Sequence, residues 1–191
     1  MNPYRRRVLH EIQLLLTGAL DRASRALDVG AGDGWFAMSI KNIGICDTVT
    51  AIDVKPRQRS HHTVEIYDGV RLPFSDGEFD LVYAIDVVHH ADDPFKLLAE
   101  MARCTRRYLL LKDHTWRTNA GWFALVVMDE AGNRRFGVHS VYKYQCGWEW
   151  NTVLDEAGLK QVERVHPLAC HIRLLGWLTN GLQFLALWER G

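Results

Sequence analysis

The sequence predicts a doubly wound α/β fold around a parallel sheet, and three observations carry that expectation. Short apolar runs alternate with helical patterns over the first 112 residues, as βαβ units require. The first run, Ala26-Leu27-Asp28-Val29, breaks at once into Gly30, Gly32 and Gly34 before an apolar helix start at Trp35-Phe36. Acids stand where the next runs end, at Asp53 and Asp68. The carboxyl ends of parallel strands are where such sheets bind their ligands.

Taken in order, residues 4–20 place Val8, Ile12, Leu15, Leu16 and Leu20 at helical spacing, so an amphipathic helix opens the chain. Residues 25–30 form the first strand, and Trp35, Phe36, Met38 and Ile40 mark a helix packed on the sheet. Residues 49–54 are a second strand, Pro56 to His62 a polar loop, and residues 64–67 a short third strand ending at Asp68-Gly69. Leu72-Pro73-Phe74 and Asp76-Gly77 are turns, and residues 80–85 are a fourth strand. Asp93-Pro94 opens a helix through Leu97, Leu98 and Met101, with proline in the first turn. Residues 108–112 make a fifth strand. Residues 113–144 read as irregular, rich in aromatics and glycine. Residues 145–157 are helical with Gly158 as the cap. Residues 160–166 and 183–189 are the last strands, with Gly176 to Gly181 as the connection before the final one.

A chain of 191 residues with 48% hydrophobic content supports one well-packed domain. It divides into a core for ligand binding over 1–112, a pocket or lid segment over 113–150, and a C-terminal helix with final strands over 151–191. With 23 basic and 23 acidic residues the formal charge is zero, which gives no reason to expect a nucleic-acid or membrane-binding surface. Arg5-Arg6-Arg7 reads as a solvated helix start. The four cysteines contain no Cys-x-x-Cys pair and no zinc spacing. Free thiols in a reducing compartment are expected, hence a cytoplasmic protein. The nine histidines form no ligand set with carboxylates by spacing, so no metal is expected. The N-terminus lacks a long apolar region with a cleavage site, and Asn180, Gly181 and Gln183 interrupt the apolar stretch near the C-terminus. Neither a signal peptide nor a membrane span is expected.

The glycine turn admits two ligand chemistries. A dinucleotide fingerprint needs Gly-x-Gly-x-x-Gly, with the pyrophosphate on a helix N-terminus. Gly30 and Gly32 fit that pattern, but the third position is Trp35. Asp28 and Asp33 would also repel a pyrophosphate and instead suit a ligand carrying an amine and a sulfonium. A purely structural glycine turn is the plain alternative.

In order along the chain, Leu27-Asp28-Val29-Gly30-Ala31-Gly32-Asp33-Gly34, Asp53, Asp68-Gly69 with Leu72-Pro73-Phe74, Phe79-Asp80-Leu81-Val82 and Val88-His89-His90-Ala91-Asp92-Asp93-Pro94 resemble the motifs of one family. That family is the class I S-adenosylmethionine-dependent methyltransferases, type 11 group, and the resemblance covers roughly residues 24–112. It implies a Rossmann-like, seven-stranded, mostly parallel sheet with the last strand antiparallel and helices on both faces. It implies S-adenosylmethionine as cofactor, with Asp28, Gly30, Ala31, Gly32 and Gly34 at the methionine end. Asp53 and Val54 are then expected at the ribose, Asp68 and Gly69 at the adenine edge, and Ala84, Ile85 and His90 along the fourth strand and its loop. On residue type alone, Asp53 could equally cap a helix and Asp68 could open a turn.

Trp116, Trp122, Phe123, Phe136, Tyr142, Tyr144, Trp148 and Trp150 concentrate aromatic surface after the fifth strand, where an acceptor pocket is expected. Methyl transfer from a sulfonium is an in-line displacement that positioning can drive, with a base needed only when the acceptor must lose a proton. His114 is the leading candidate base, with His90, Tyr144 and Tyr142 beside it. The expected acceptor is a small molecule. The alternative is a protein of the same fold that binds without turnover.

Overall fold

The computed structural model describes residues 2–19, 23–133 and 141–191. Helix α1 (Pro3–Ala19) buries Val8, Ile12, Leu15 and Leu16, the stripe its spacing predicts; Leu20 lies outside the described residues. Strand β1 (Ala23–Val29) leads through the glycine turn into α2 (Trp35–Asn42). Then come β2 (Cys46–Asp53), β3 (Glu65–Ile66) and β4 (Phe79–Ile85). A short 3-10 turn (Val88–His90) leads into α3 (Pro94–Cys104). Asp93 caps α3 by accepting from the Lys96 amide, and Pro94 sits at its start, as the Asp-Pro pair predicts. The chain continues through β5 (Thr105–Trp116), α4 (Asn119–Asn133), β6 (Gln145–Cys146), α5 (Trp150–Glu156), β7 (Leu159–Val165), α6 (Arg173–Thr179) and β8 (Gln183–Arg190).

The sheet runs β3-β2-β1-β4-β5-β8-β7, with the two-residue β6 added beside the far end of β5. Strand β8 pairs antiparallel with both β5 and β7, while the other pairs are parallel. The seven-strand path with its antiparallel last strand is therefore present, and β6 makes the total eight. Both faces are covered. Leu81, Tyr83 and Ile85 of β4 join α1 and α2 in one core. The alternate residues Val82 and Ala84 join α3 and α5 in the other, the period-2 division a doubly covered sheet demands. Phe79 joins them across the register shift between Phe79 and Leu81. Because β4 lies on the opposite side of β1 from β2 and β3, a crevice opens at the carboxyl ends of β1 and β4.

Three boundaries differ from the sequence expectation. Within the stretch 113–144, β5 continues to Trp116 and is followed by α4; residues 134–140 lie outside the described residues. The extension is held by pairing, Asp113 with Phe184 and His114 with Gln183 on β8, and Thr115 with Gln145 on β6. The helix read over 145–157 is a strand residue pair and a turn before α5. The connection read over Gly176 to Gly181 is mostly α6, where a Cβ on Gly176 would sit 2.5 Å from the His171 carbonyl oxygen. Only glycine admits that approach. Phe136 lies outside the described residues. Among the described residues no helix is long and apolar enough to cross a membrane.

Candidate active site

A cavity of about 390 Å³ occupies the crevice, a size suited to a small ligand. Its floor is the glycine turn. Gly30, Gly32 and Gly34 take φ values of 73°, 59° and 69°, the left-handed region that side chains resist. A Cβ on Gly30 would overlap both Val87 methyls, and one on Gly34 would sit 3.0 Å from the His62 amide nitrogen. Gly32 has nothing within 4 Å of that position and lines the cavity. The turn is braced from below: the Gly30 and Ala31 amides both donate to the Ile52 carbonyl at 2.9 Å. The Gly32 amide donates to Asp53 Oδ2 at 2.7 Å.

Asp28 enters the cavity wall fully buried, and its Oδ2 has no hydrogen-bond partner. Burial pushes its carboxyl up to about 8. A buried carboxylate with one oxygen unpaired beside an open glycine turn is the environment a cationic amine would complete.

The opposite wall comes from the ends of β4 and β5. Asp86, first residue past β4, has φ 56°, an uncommon conformation of the kind that collects at functional sites. It accepts from the Tyr4 hydroxyl at 2.6 Å and pairs with the buried Lys112 ammonium. Lys112 in turn donates to Gln183 Oε1 at 2.6 Å. Burial raises the Asp86 carboxyl, and Lys112 outweighs it to hold the group below its usual range.

Next to this lies a second buried network. His89 Nδ1 contacts Asp113 Oδ1 at 2.5 Å, and Asp113 also accepts from the Val88 and His114 amides at 3.0 and 2.7 Å. His114 Nδ1 is 3.2 Å from the same carboxylate. Burial pushes His89 down, and the Asp113 carboxylate overrides this to raise it. Burial pushes His90 down to about 4, with the His89 charge adding to it, and burial also lowers His114. Tyr144 donates to Asp129 Oδ2 at 2.9 Å; burial and that carboxylate raise its hydroxyl.

Asp28, Gly30, Ala31, Gly32, Ile85, His90, His114 and Tyr144, all singled out from sequence, therefore meet at one cavity. The others do not line it. Asp53 lies beneath the turn, its Oδ1 accepting from the Lys55 amide at 3.0 Å. Ala84 is packed into the sheet core. Asp68 is exposed and accepts from the Val70 and Arg71 amides at 2.8 and 3.1 Å, a turn geometry. Gly69 abuts Val54, whose Cγ1 lies 3.0 Å from where a Cβ would be, so this pair forms an open rim beyond β2. Tyr142 is outside the cavity lining, its hydroxyl on Glu130 at 2.5 Å.

Residues 27–108 match the family model described as "Methyltransferase domain", type 11. Over that stretch, from β1 into the start of β5, the chain is similar to the class I methyltransferases, type 11 group. It is similar to an uncharacterized methyltransferase of Mycolicibacterium gilvum, 31% identical over 99 residues, covering 47% of this chain and 38% of that protein. A malonyl-[acyl-carrier protein] O-methyltransferase of Erwinia billingiae is 33% identical over 91 residues, 44% of this chain and 36% of that one. These matches thus span little more than a third of the relatives' length. The N-methyltransferase NodS of Bradyrhizobium japonicum, solved with S-adenosylhomocysteine, superposes with a TM-score of 0.64 at 21% identity. That superposition covers 99% of this chain and 88% of NodS and shows the shared fold.

Tyr4, Asp86, His89 and Asp129 also line this cavity and were not singled out as site residues from sequence. Asp86 carries a readable signal, since it is one more acid at a strand end. Asp129 stands forty residues from the histidine pair, and Tyr4 belongs to a helix whose apolar stripe is what the sequence displays.

Proposed function

We propose that this chain transfers a methyl group from S-adenosylmethionine to a small-molecule acceptor. The observation that carries the reading is the partnerless Oδ2 of buried Asp28 beside the open face of Gly32. Asp28 with Gly30, Ala31, Gly32 and Gly34 would hold the methionine end. Asp53 would receive the ribose hydroxyls while bracing the turn, with Val54 beside it. Asp68 and Gly69 would border the adenine, and Ile85 and His90 would close the fourth-strand side. The cofactor supplies a methyl on a sulfonium: the carbon–sulfur bond breaks, its electrons stay on sulfur, and the acceptor's lone pair forms the new bond.

The acceptor would lie toward residues 113–150, between β5 and α4. His114, kept neutral by burial, has the protonation state of a general base and is oriented by Asp113. Tyr144 and His90 would position the acceptor. Calorimetry with S-adenosylmethionine, S-adenosylhomocysteine and NAD tests the reading. Binding of both sulfur compounds is expected, and NAD binding without S-adenosylhomocysteine binding overturns it. His114→Ala should lower turnover while leaving S-adenosylhomocysteine affinity unchanged; full turnover removes His114 as the base.

A further inference from the structure

We propose that His89, His90 and Asp129 form a binding site for a divalent first-row transition cation. The three come from the turn after β4 and from α4, and one ligand atom from each lies within 4.8 Å of the others. His89 Nε2 is 3.6 Å from Asp129 Oδ1, and His90 Nε2 is 4.0 Å from the same oxygen. Ligands on a tetrahedral zinc at its usual bond lengths are about 3.4 Å apart. Against that spacing of about 3.4 Å, the His89 and His90 nitrogens at 3.6 and 4.0 Å from Asp129 Oδ1 must draw in, and the two rings must reach the same spacing from within 4.8 Å.

The decisive feature is His89. Its residue is 1% exposed, its Nδ1 is engaged by Asp113 at 2.5 Å, and its Nε2 has no hydrogen-bond partner. A buried ring nitrogen without a partner is costly. A carboxylate behind the opposite nitrogen is the arrangement that orients a metal-binding imidazole and raises its basicity. Asp129 is prepared the same way: Tyr144 donates to its Oδ2, and Oδ1 is the oxygen near both rings. The neighbouring set of His89, Asp113 and His114 is a weaker candidate, because short hydrogen bonds already join its atoms.

Two imidazoles and one carboxylate select borderline first-row ions over calcium or magnesium, and three protein ligands leave positions for exogenous oxygen or nitrogen. His89, His90 and Asp129 all line the cavity, so those positions would be open to an acceptor's hydroxyl or carboxylate. The cation site stands independently of methyl transfer.

Cobalt(II) titration of the chelator-treated full chain tests it, read by visible ligand-field bands and by calorimetry. One equivalent should bind, and zinc(II) should remove the bands. His90→Gln and Asp129→Asn should each weaken binding at least tenfold. Asp113→Asn, a positioning change, should do so by about 10–100-fold. His61→Gln, at an exposed histidine elsewhere, should leave affinity unchanged. Circular dichroism verifies that each variant is folded. His90 lies at the cavity edge, 20% exposed at its side chain, so its variant serves if a more buried one does not fold. Absence of binding, equal binding in His90→Gln and wild type, or loss in His61→Gln overturns the site. S-adenosylhomocysteine calorimetry on the same samples reads the cofactor assignment separately.

Discussion

Asp28 concentrates the chemistry of the proposed cofactor side in one side chain. Between its ordinary value near 3.8 and its buried value of about 8, the folded chain holds a proton that the unfolded chain has released. This group therefore makes folding less favourable as pH rises through that window, by at most about 1.4 kcal/mol per unit, with no further loss above it. Only the ionised carboxylate can pair with the amine of a bound ligand. S-adenosylhomocysteine affinity should accordingly rise with pH up to about 8, and Asp28→Asn should flatten both profiles. Calorimetry and urea unfolding between pH 5 and 8 read these effects; parallel profiles for wild type and variant would show that Asp28 does not bind the amine. Asp53 makes a different prediction. Its Oδ2 holds the Gly32 amide, so Asp53→Ala should cost about 1–3 kcal/mol of folding stability as well as weakening cofactor binding. A variant with wild-type urea midpoint would remove the bracing role.

At the scale of elements, legibility followed periodicity. Helix α1 was readable because its burial falls on one face at helical spacing, and the strands of the first 112 residues because short apolar runs buried on both faces are bounded by turn residues. Helix α4 was not, because Trp122, Phe123, Leu125, Val126, Val127 and Met128 surround it with apolar residues and leave no polar stripe. The charged run Lys112-Asp113-His114 reads as a strand end, yet it continues β5 because its charges are answered inside the fold by Asp86, Gln183 and His89. The glycine turn and Asp28 were legible as local chemistry; the meeting of Asp129 with the histidine pair was not, since it depends on how α4 docks. Long-range partners also decide how the helices end. Arg190, on the last strand, donates to the carbonyls of Ala102, Thr105 and Ala157 at 2.5, 2.9 and 2.8 Å. It thereby satisfies the C-terminal ends of α3 and α5. Arg190→Ala should lower stability by about 2–3 kcal/mol without altering cofactor affinity. Urea unfolding paired with calorimetry separates the two, and an unchanged midpoint would show that solvent replaces the guanidinium.

Across the whole molecule, one helix joins the sheet core to the mouth of the cavity. The body of α1 is anchored by Val8, Ile12, Leu15 and Leu16 in the core. Its first turn reaches over the cavity through Tyr4 to Asp86 at 2.6 Å and Arg5 to Asp33 at 2.7 Å. The two contacts differ in cost. Tyr4 belongs to the buried group of Lys112 and Asp86, so its hydroxyl contributes to stability. Arg5 and Asp33 are 33% and 28% exposed at their side chains, and such a pair contributes about 0–1 kcal/mol. Asp33 sits in the glycine turn, and its Oδ1 accepts from the Trp35 amide at 3.2 Å. Freeing Arg5 therefore loosens the cover without dismantling the turn. Arg5→Ala should leave the urea midpoint almost unmoved and should speed S-adenosylhomocysteine dissociation several-fold, measured by stopped-flow displacement. The effect should shrink at high salt, where the wild-type pair is itself screened. Equal dissociation rates at low salt would mean that the first turn of α1 is packing alone and that ligands exchange past another edge of the cavity.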